Sequence, residues 1–573
     1  MEASISGLPT VASDVLRRFI EVEGRSIHYR VAGSGPAVVM LHDSPRSSRL
    51  HLETIRHLSR RFRVFALDTP GYGNSQPLDR EQLEISDFAR ALGAVLAALG
   101  LSKAPLYATH TSAKIALEYA ARTPLPARLI LDGLSIPATP TDPAFIDRYM
   151  RPFRTEETGG YLAAEWTRMR DMVRWFPWFE QQPGRRIPTR LPDEAWTSDY
   201  VIDFFSAGPH YASAYGAAMR YDPMPALQSV RCPTIVAAKA DDVLFAYLDK
   251  VPVEENPCLS VEKLSAEREA WLAWLEEAFA SATAGINPFS EVAPQPRCGS
   301  LYVDLDHGPL RLHRAGPADE RPLLILSAPT TLHALRWQAA LSNRATLVPE
   351  LPGFGESAPL PDPTVSATAD ALAAMLEALG LREVDLLATS FATPLGASLA
   401  TRHPDMVRRV ILDGCFDVGD DKRGAFAAAL CPTFPFDPGG GHIHRYWHML
   451  RDAEASWPWF ATQADARRSL PPLLEAEGLH HALLGLLKQP GHYGDIARAV
   501  CDLTRQQRYP LFSQAALLFE RADDPGYGAA AAVAARLPDV LLVERPDPSE
   551  EAARSVAAFL AQAPVAPLDE VVL

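Results

Sequence analysis

Cysteine is scarce, six in 573 residues, and no pair falls in a Cys-x-x-Cys or metal-binding spacing. A disulfide-stapled scaffold and a zinc finger are therefore excluded, and isolated reduced thiols are expected. No apolar run approaches the ~20 residues that span a bilayer. Met1 to Glu23 lacks the apolar stretch of a secretory leader, which leaves a cytoplasmic location as the expectation. Positive charge is in the minority: 55 Lys and Arg against 70 Asp and Glu give a net charge of −15. That balance argues against nucleic acid and anionic membrane as partners. Low-complexity tracts are missing too, and nothing in the pattern asks for a cofactor or a metal. The partner left is a small-molecule substrate, with a homo-oligomer left open.

What is present is ordinary globular material, 47% hydrophobic and 22% charged, in a chain too long for one core. Apolar runs alternate with helical periodicity. Phe19–Arg30 predicts a hairpin turning at Gly24; Ala37–Leu41, Arg63–Leu67, Pro105–Thr109 and Leu129–Leu131 predict further strands. Glu84–Leu99 and Ser112–Arg122 predict helices. Strands and helices in this alternation imply a parallel sheet covered on both faces. The second half repeats the plan at an offset near 280: Glu350-Leu351-Pro352-Gly353-Phe354-Gly355-Glu356-Ser357 answers Asp68-Thr69-Pro70-Gly71-Tyr72-Gly73-Asn74-Ser75, and Asp413-Gly414 answers Asp132-Gly133. The expected division is a first domain over 1–280, a linker over 281–300 rich in Ala, Gly, Pro and Ser, and a second domain over 301–573.

Val384-Asp385-Leu386-Leu387-Ala388-Thr389-Ser390-Phe391-Ala392 breaks from an apolar strand into a small-residue helix. The block resembles the nucleophile elbow of the α/β-hydrolase family, Gly-x-Ser-x-Gly, with Ala388 and Ala392 for the glycines. The Asp68–Ser75 loop looks like that family's loop after strand four. His42-Asp43-x-Pro45 resembles its oxyanion loop. The resemblance implies two tandem α/β-hydrolase-like domains, each a mostly parallel sheet flanked by helices. It also implies helical caps at about 134–225 and about 415–508.

On this resemblance the nucleophile lies fourteen positions before Pro124 and Pro404, which close equivalent helices. That gives His110 in the first copy and Ser390 in the second. Asp242 and Asp524, each in a turn after an apolar strand, match the family's acid, with Asp132 and Asp413 as other acid positions. The family's histidine should follow the last strand, and neither copy has one there. Loss of such a base lowers turnover by roughly 10⁶, so a conventional serine esterase is disfavoured. His210 and His492, equivalent positions in the two caps, are the candidate replacements. Trp166, Trp178, Trp447 and Trp459 recur in both caps and are candidate substrate contacts, with His42, Asp43 and Phe391. A carboxylate at Asp43 opposes an oxyanion and suits proton transfer better.

The implied function is an enzyme acting on a small or medium organic molecule with a carbonyl or ester group. An esterase, lactonase or C–C hydrolase with an atypical acid/base arrangement is the leading form. The alternatives are a cofactor-free lyase, cyclase or isomerase on the same fold, or a catalytically silent ligand-binding or scaffold protein.

Overall fold

The computed structural model describes residues 15–187, 191–289, 295–418, 424–547 and 549–562. Parts of the expected linker (290–294) and of the second cap (419–423) lie outside the described residues. The chain divides into two compact units. One runs to Pro296 and adds Ser300–Tyr302 and Pro435–His444; the other comprises Arg297–Gly299, Val303–Phe434 and Arg445–Leu573. The division in space thus differs from the expected break in sequence, because ten residues of the second cap belong to the first unit.

The first unit is built on strands β1 (Leu16–Val22), β2 (Arg25–Ala32), β3 (Ala37–Leu41), β4 (Arg63–Leu67), β5 (Leu106–Thr109), β6 (Leu129–Asp132), β7 (Thr234–Lys239) and β8 (Leu259–Leu264). Their order in the sheet is β1-β2-β4-β3-β5-β6-β7-β8. β1 and β2 form the expected hairpin: Glu23 and Gly24 both take positive φ, as a two-residue turn between twisted strands requires. From β4 to β8 every pairing is parallel. Successive residues of β3 point to opposite faces, yet Val38, Val39, Met40 and Leu41 are all buried, so both faces are covered. On one face Val38, Met40, Val64 and Ile130 pack with Trp271, Leu275 and Phe279 of the helix Arg268–Ala282.

The second half of the chain repeats this with β9 (Gly299–Leu305), β10 (Gly308–Ala315), β11 (Leu323–Ala328), β12 (Thr346–Pro349), β13 (Val384–Ser390), β14 (Val407–Asp413), β15 (Ala515–Glu520) and β16 (Val540–Glu544). The strand order is the same: β16-β15-β14-β13-β11-β12-β10-β9. In each copy the helical cap is inserted after the sixth strand, over Pro143–Arg220 in the first and Ala425–Asp502 in the second. Parallel strands carry their C-terminal ends to one edge, and Thr109 pairs there with Asp132 as Thr389 pairs with Asp413. Ligands of such sheets bind at that edge.

Candidate active site

Three non-glycine residues take positive φ among the described residues, and two of them are the predicted apices, His110 at 50° and Ser390 at 57°. A side chain in that region costs on the order of 1 kcal/mol or more, so the surroundings must impose it. Small residues do so. Ser112 Oγ accepts from the Thr109 amide at 3.0 Å and donates to the Thr109 carbonyl at 2.9 Å, closing the first turn. The His110 amide donates to the Asp132 carbonyl at 3.1 Å. In the second copy a Cβ on Gly396 would lie 2.8 Å from the Cβ of Ala388, so helix and strand tolerate nothing larger.

In the first copy the apex reaches the acid position directly. His110 Nε2 lies 2.8 Å from Asp242 Oδ2, with the imidazole side chain 36% exposed and the carboxylate 10%. Asp242 is fixed by the Leu244 amide, which donates to Oδ1 at 2.8 Å. Burial works to lower the imidazole pKa. The hydrogen bond and charge of Asp242, then the charges of Asp43 and Asp132, outweigh it and raise the pKa to about 9. Burial likewise pushes the Asp242 carboxyl up, and its bond to His110 brings it below the usual range. At neutral pH the pair is therefore an imidazolium and a carboxylate. Gly133, at φ 77°, makes room for it: a Cβ there would stand 2.6 Å from His110 Cδ2 and 3.2 Å from Asp242 Oδ2.

Beneath the pair, Asp132 Oδ2 accepts from Tyr107 at 2.8 Å and from the Trp271 indole at 3.0 Å. Burial raises its pKa. His42 is buried with both ring nitrogens engaged: Nδ1 is 2.8 Å from the Asp43 carbonyl, and Nε2 accepts the Thr69 amide at 2.9 Å. With one nitrogen bonded to a carbonyl and the other to an amide, the ring joins two loops, which removes it from the substrate contacts expected of it. Asp43 is different. Its Oδ1 is buried and has no hydrogen-bond partner among the described residues.

In the second copy Ser390 borders a cavity of about 280 Å³ that Asp413, Phe416, Trp457, Arg468 and Arg545 also line. Its hydroxyl makes no hydrogen bond among the described residues. Asp524, expected to orient a histidine, instead accepts from Arg468 Nε at 3.1 Å and from the Ser469 and Gly526 amides at 3.1 and 2.8 Å. Arg545, just beyond β16, takes the ground where the resemblance places the base. Its Nε donates to Asp413 Oδ1 at 2.8 Å; Tyr527 donates to the same oxygen and the Trp337 indole to Oδ2, both at 2.9 Å.

The cap residues divide differently from expectation. Trp166 and Trp447 are buried, and Trp166 donates its indole N–H to the Pro438 carbonyl at 3.0 Å. Trp178 and Trp459 donate their indole N–H to the carbonyls of Tyr149 and Leu430, each at 3.0 Å, and so fasten equivalent corners of the caps. His210 and His492 rest on the glycine loops after the fourth strands, where Cβ atoms on Gly71 and Gly353 would come within 3.2 and 3.0 Å of theirs. His492 Nδ1 also lies 3.1 Å from Asp495. None of their recorded contacts is to an apex residue, so the geometry does not make them the missing base. Phe391 packs on Phe416 and Trp457 at ring separations of 4.7 and 5.3 Å. Phe416 and Trp457 themselves form the cavity wall; neither is among the substrate contacts expected from the sequence, although Trp457 opens the run Trp457-Pro458-Trp459-Phe460. Among the described residues no three His, Cys, Asp or Glu side chains gather into a metal cage, and no helix is long and apolar enough to cross a membrane.

The family model for the alpha/beta hydrolase fold matches residues 36–176 and 334–430. A haloalkane dehalogenase of Agrobacterium fabrum is 29% identical over 164 residues, 28% of this chain and 53% of that protein. A putative carbamate hydrolase RutD of Caulobacter sp. is 33% identical over 173 residues, 29% of this chain and 60% of that protein. A 2-hydroxymuconate semialdehyde hydrolase of Pseudomonas putida is 32% identical over 111 residues, 19% and 36% of the two chains. The chain thus spans less than two thirds of the length of each of these relatives. Among solved structures, epoxide hydrolase A of Mycobacterium thermoresistibile aligns at 18% identity and a TM-score of 0.38, over 48% of this chain and 100% of that one. One matched segment falls in each half of the chain, and the two eight-stranded, mostly parallel sheets flanked by helices have the α/β-hydrolase fold that the model describes.

Proposed function

We propose that the first domain carries the chemistry, and that this chemistry is cofactor-free proton transfer on a small carbonyl compound. The His110–Asp242 pair at the elbow apex is the observation that carries the reading. An imidazolium has no lone pair with which to attack, so nucleophilic catalysis by His110 is set aside. It does have two N–H groups. Nε2–H is held by Asp242, while Nδ1 makes no hydrogen bond among the described residues. Nδ1–H is the group offered to a substrate oxygen, and one such donor is typically worth about 3 kcal/mol to a developing oxyanion. One relative is named for a semialdehyde, a carbonyl compound, which supports the substrate class.

The test is turnover of a panel of small ketones, aldehydes and esters followed by NMR, in the wild type and in His110→Gln. The variant is expected to lose about 10² to 10⁴ in rate, the usual contribution of a positioned acid; undiminished turnover would overturn the reading. A second reading, hydrolysis through Ser390, is favoured by that residue's strained apex beside the cavity. Against it stands the lack of any base hydrogen-bonded to the hydroxyl. Fluorophosphonate is expected to leave Ser390 unlabelled, and a stoichiometric adduct would favour hydrolysis there.

A further inference from the structure

Strand register locates a second proton-handling group. In the first domain Leu41 pairs with Ala108, two residues before the apex. In the second domain Leu326 pairs with Ala388, and Ala328 pairs with Ser390 itself. Continued two residues past the end of β3, the same register brings Asp43 to the sheet edge beside His110, the place where Ala328 pairs with Ser390 in the second domain. Neighbouring strands run ~4.8 Å apart and register partners face the same way. At this edge the two domains differ in sequence: His110 and Asp43 in one, Ser390 and Ala328 in the other.

Three observations make Asp43 more than a neighbour. After Asp242, its carboxylate is the next charge acting on the His110 ring. The same charge reaches Arg46 and the cap tyrosines Tyr200 and Tyr215, so the group lies beneath the cap. Its Oδ1 is buried without a hydrogen bond among the described residues, a costly condition for a carboxylate oxygen.

We infer that Asp43 is a catalytic base that works opposite His110, and that the substrate is a ketone bearing a hydrogen on the carbon next to its carbonyl. This rests on the proton-transfer reading above. The C–H bond breaks, its proton goes to the Asp43 carboxylate, and its electron pair forms the carbon–carbon double bond of an enol. The carbonyl π pair moves to oxygen, which takes the proton from His110 Nδ1. Return of the proton to the same or another carbon restores both groups, so neither an oxidant nor a reductant is required. A carboxylate facing a hydrogen-bond donor across a carbonyl is a sound arrangement for this step.

Exchange tests it without knowledge of the natural substrate. Simple ketones and 1,3-diketones in D2O are incubated with the full chain, and loss of α-hydrogen is followed by proton NMR. The wild type is expected to exceed the buffer rate, and Asp43→Asn and Asp43→Ala to fall by ~100-fold or more. Added acetate is expected to restore part of the rate in Asp43→Ala, which a purely structural role would not permit. Exchange that survives both Asp43 variants but not His110→Gln would overturn the role of Asp43 and leave His110 standing. So would loss of exchange that acetate cannot restore. No exchange by the wild type would also overturn this inference, while His110-dependent turnover of the wider carbonyl panel would keep the function proposed above. Loss of neither activity in His110→Gln would end both.

Discussion

At the first apex an imidazole occupies the place that a hydroxymethyl group occupies at the second, and the two set different demands on their surroundings. The imidazole is long enough to meet Asp242 unaided, so no third residue is needed between them. The pair ties stability to pH. An imidazole titrates near 6.5 when unfolded and near 9 here, so its contribution is complete below pH 6.5, declines through the window between, and is gone once pH passes about 9. The gap in melting temperature between wild type and Asp242→Asn should accordingly shrink from about pH 6 to about pH 10; a constant gap would contradict a raised imidazole. Gly133→Ala should destabilise by ~1–3 kcal/mol in urea melts, from crowding against the pair and from its positive φ. An unchanged midpoint would mean that the ring moves aside freely. Both apices were legible in the sequence, because an elbow demands small neighbours and the repeat supplied a second alignment. The partners of Asp413 were not: Arg545 lies 132 positions along the chain, and no local pattern announces a bond at that range.

Elements explain why some predictions came close and others could not. Strands β3 and β4 fall where the apolar runs placed them, since each run is bounded by turn residues and buried on both faces. Cap aromatics defeated the same reasoning, for helical spacing marks a packed face without telling a cavity wall from a core. Trp459 fastens while Trp457, two residues earlier, lines the cavity. Trp459→Phe is expected to lose about 1 kcal/mol in urea melts, one hydrogen bond to the Leu430 carbonyl with little lost volume. Arg545→Leu is a harsher change. It strands Asp413, whose side chain is 4% exposed, and breaking such buried pairs costs about 3–5 kcal/mol; the indole of Trp337 and the hydroxyl of Tyr527 should hold the loss near the lower end. A loss under about 1 kcal/mol would show that those two donors suffice.

For the whole molecule, each unit has its own apolar cluster. Calorimetry is expected to resolve more than one unfolding transition, with Arg545→Leu lowering one and leaving another in place. A single transition that moves as a whole would refute this. The repeat was readable because strand lengths, loop motifs and insert positions all keep one offset. The spatial division was not, since Pro435–His444 is separated from the rest of the first unit by more than a hundred intervening residues.

A ribosome finishes the first unit's sheet long before it delivers residue 444, so the early half emerges without a segment it will eventually include. Until then the nascent chain must wait, and a stop codon placed anywhere in the second half before that residue would release a first unit that can never be completed.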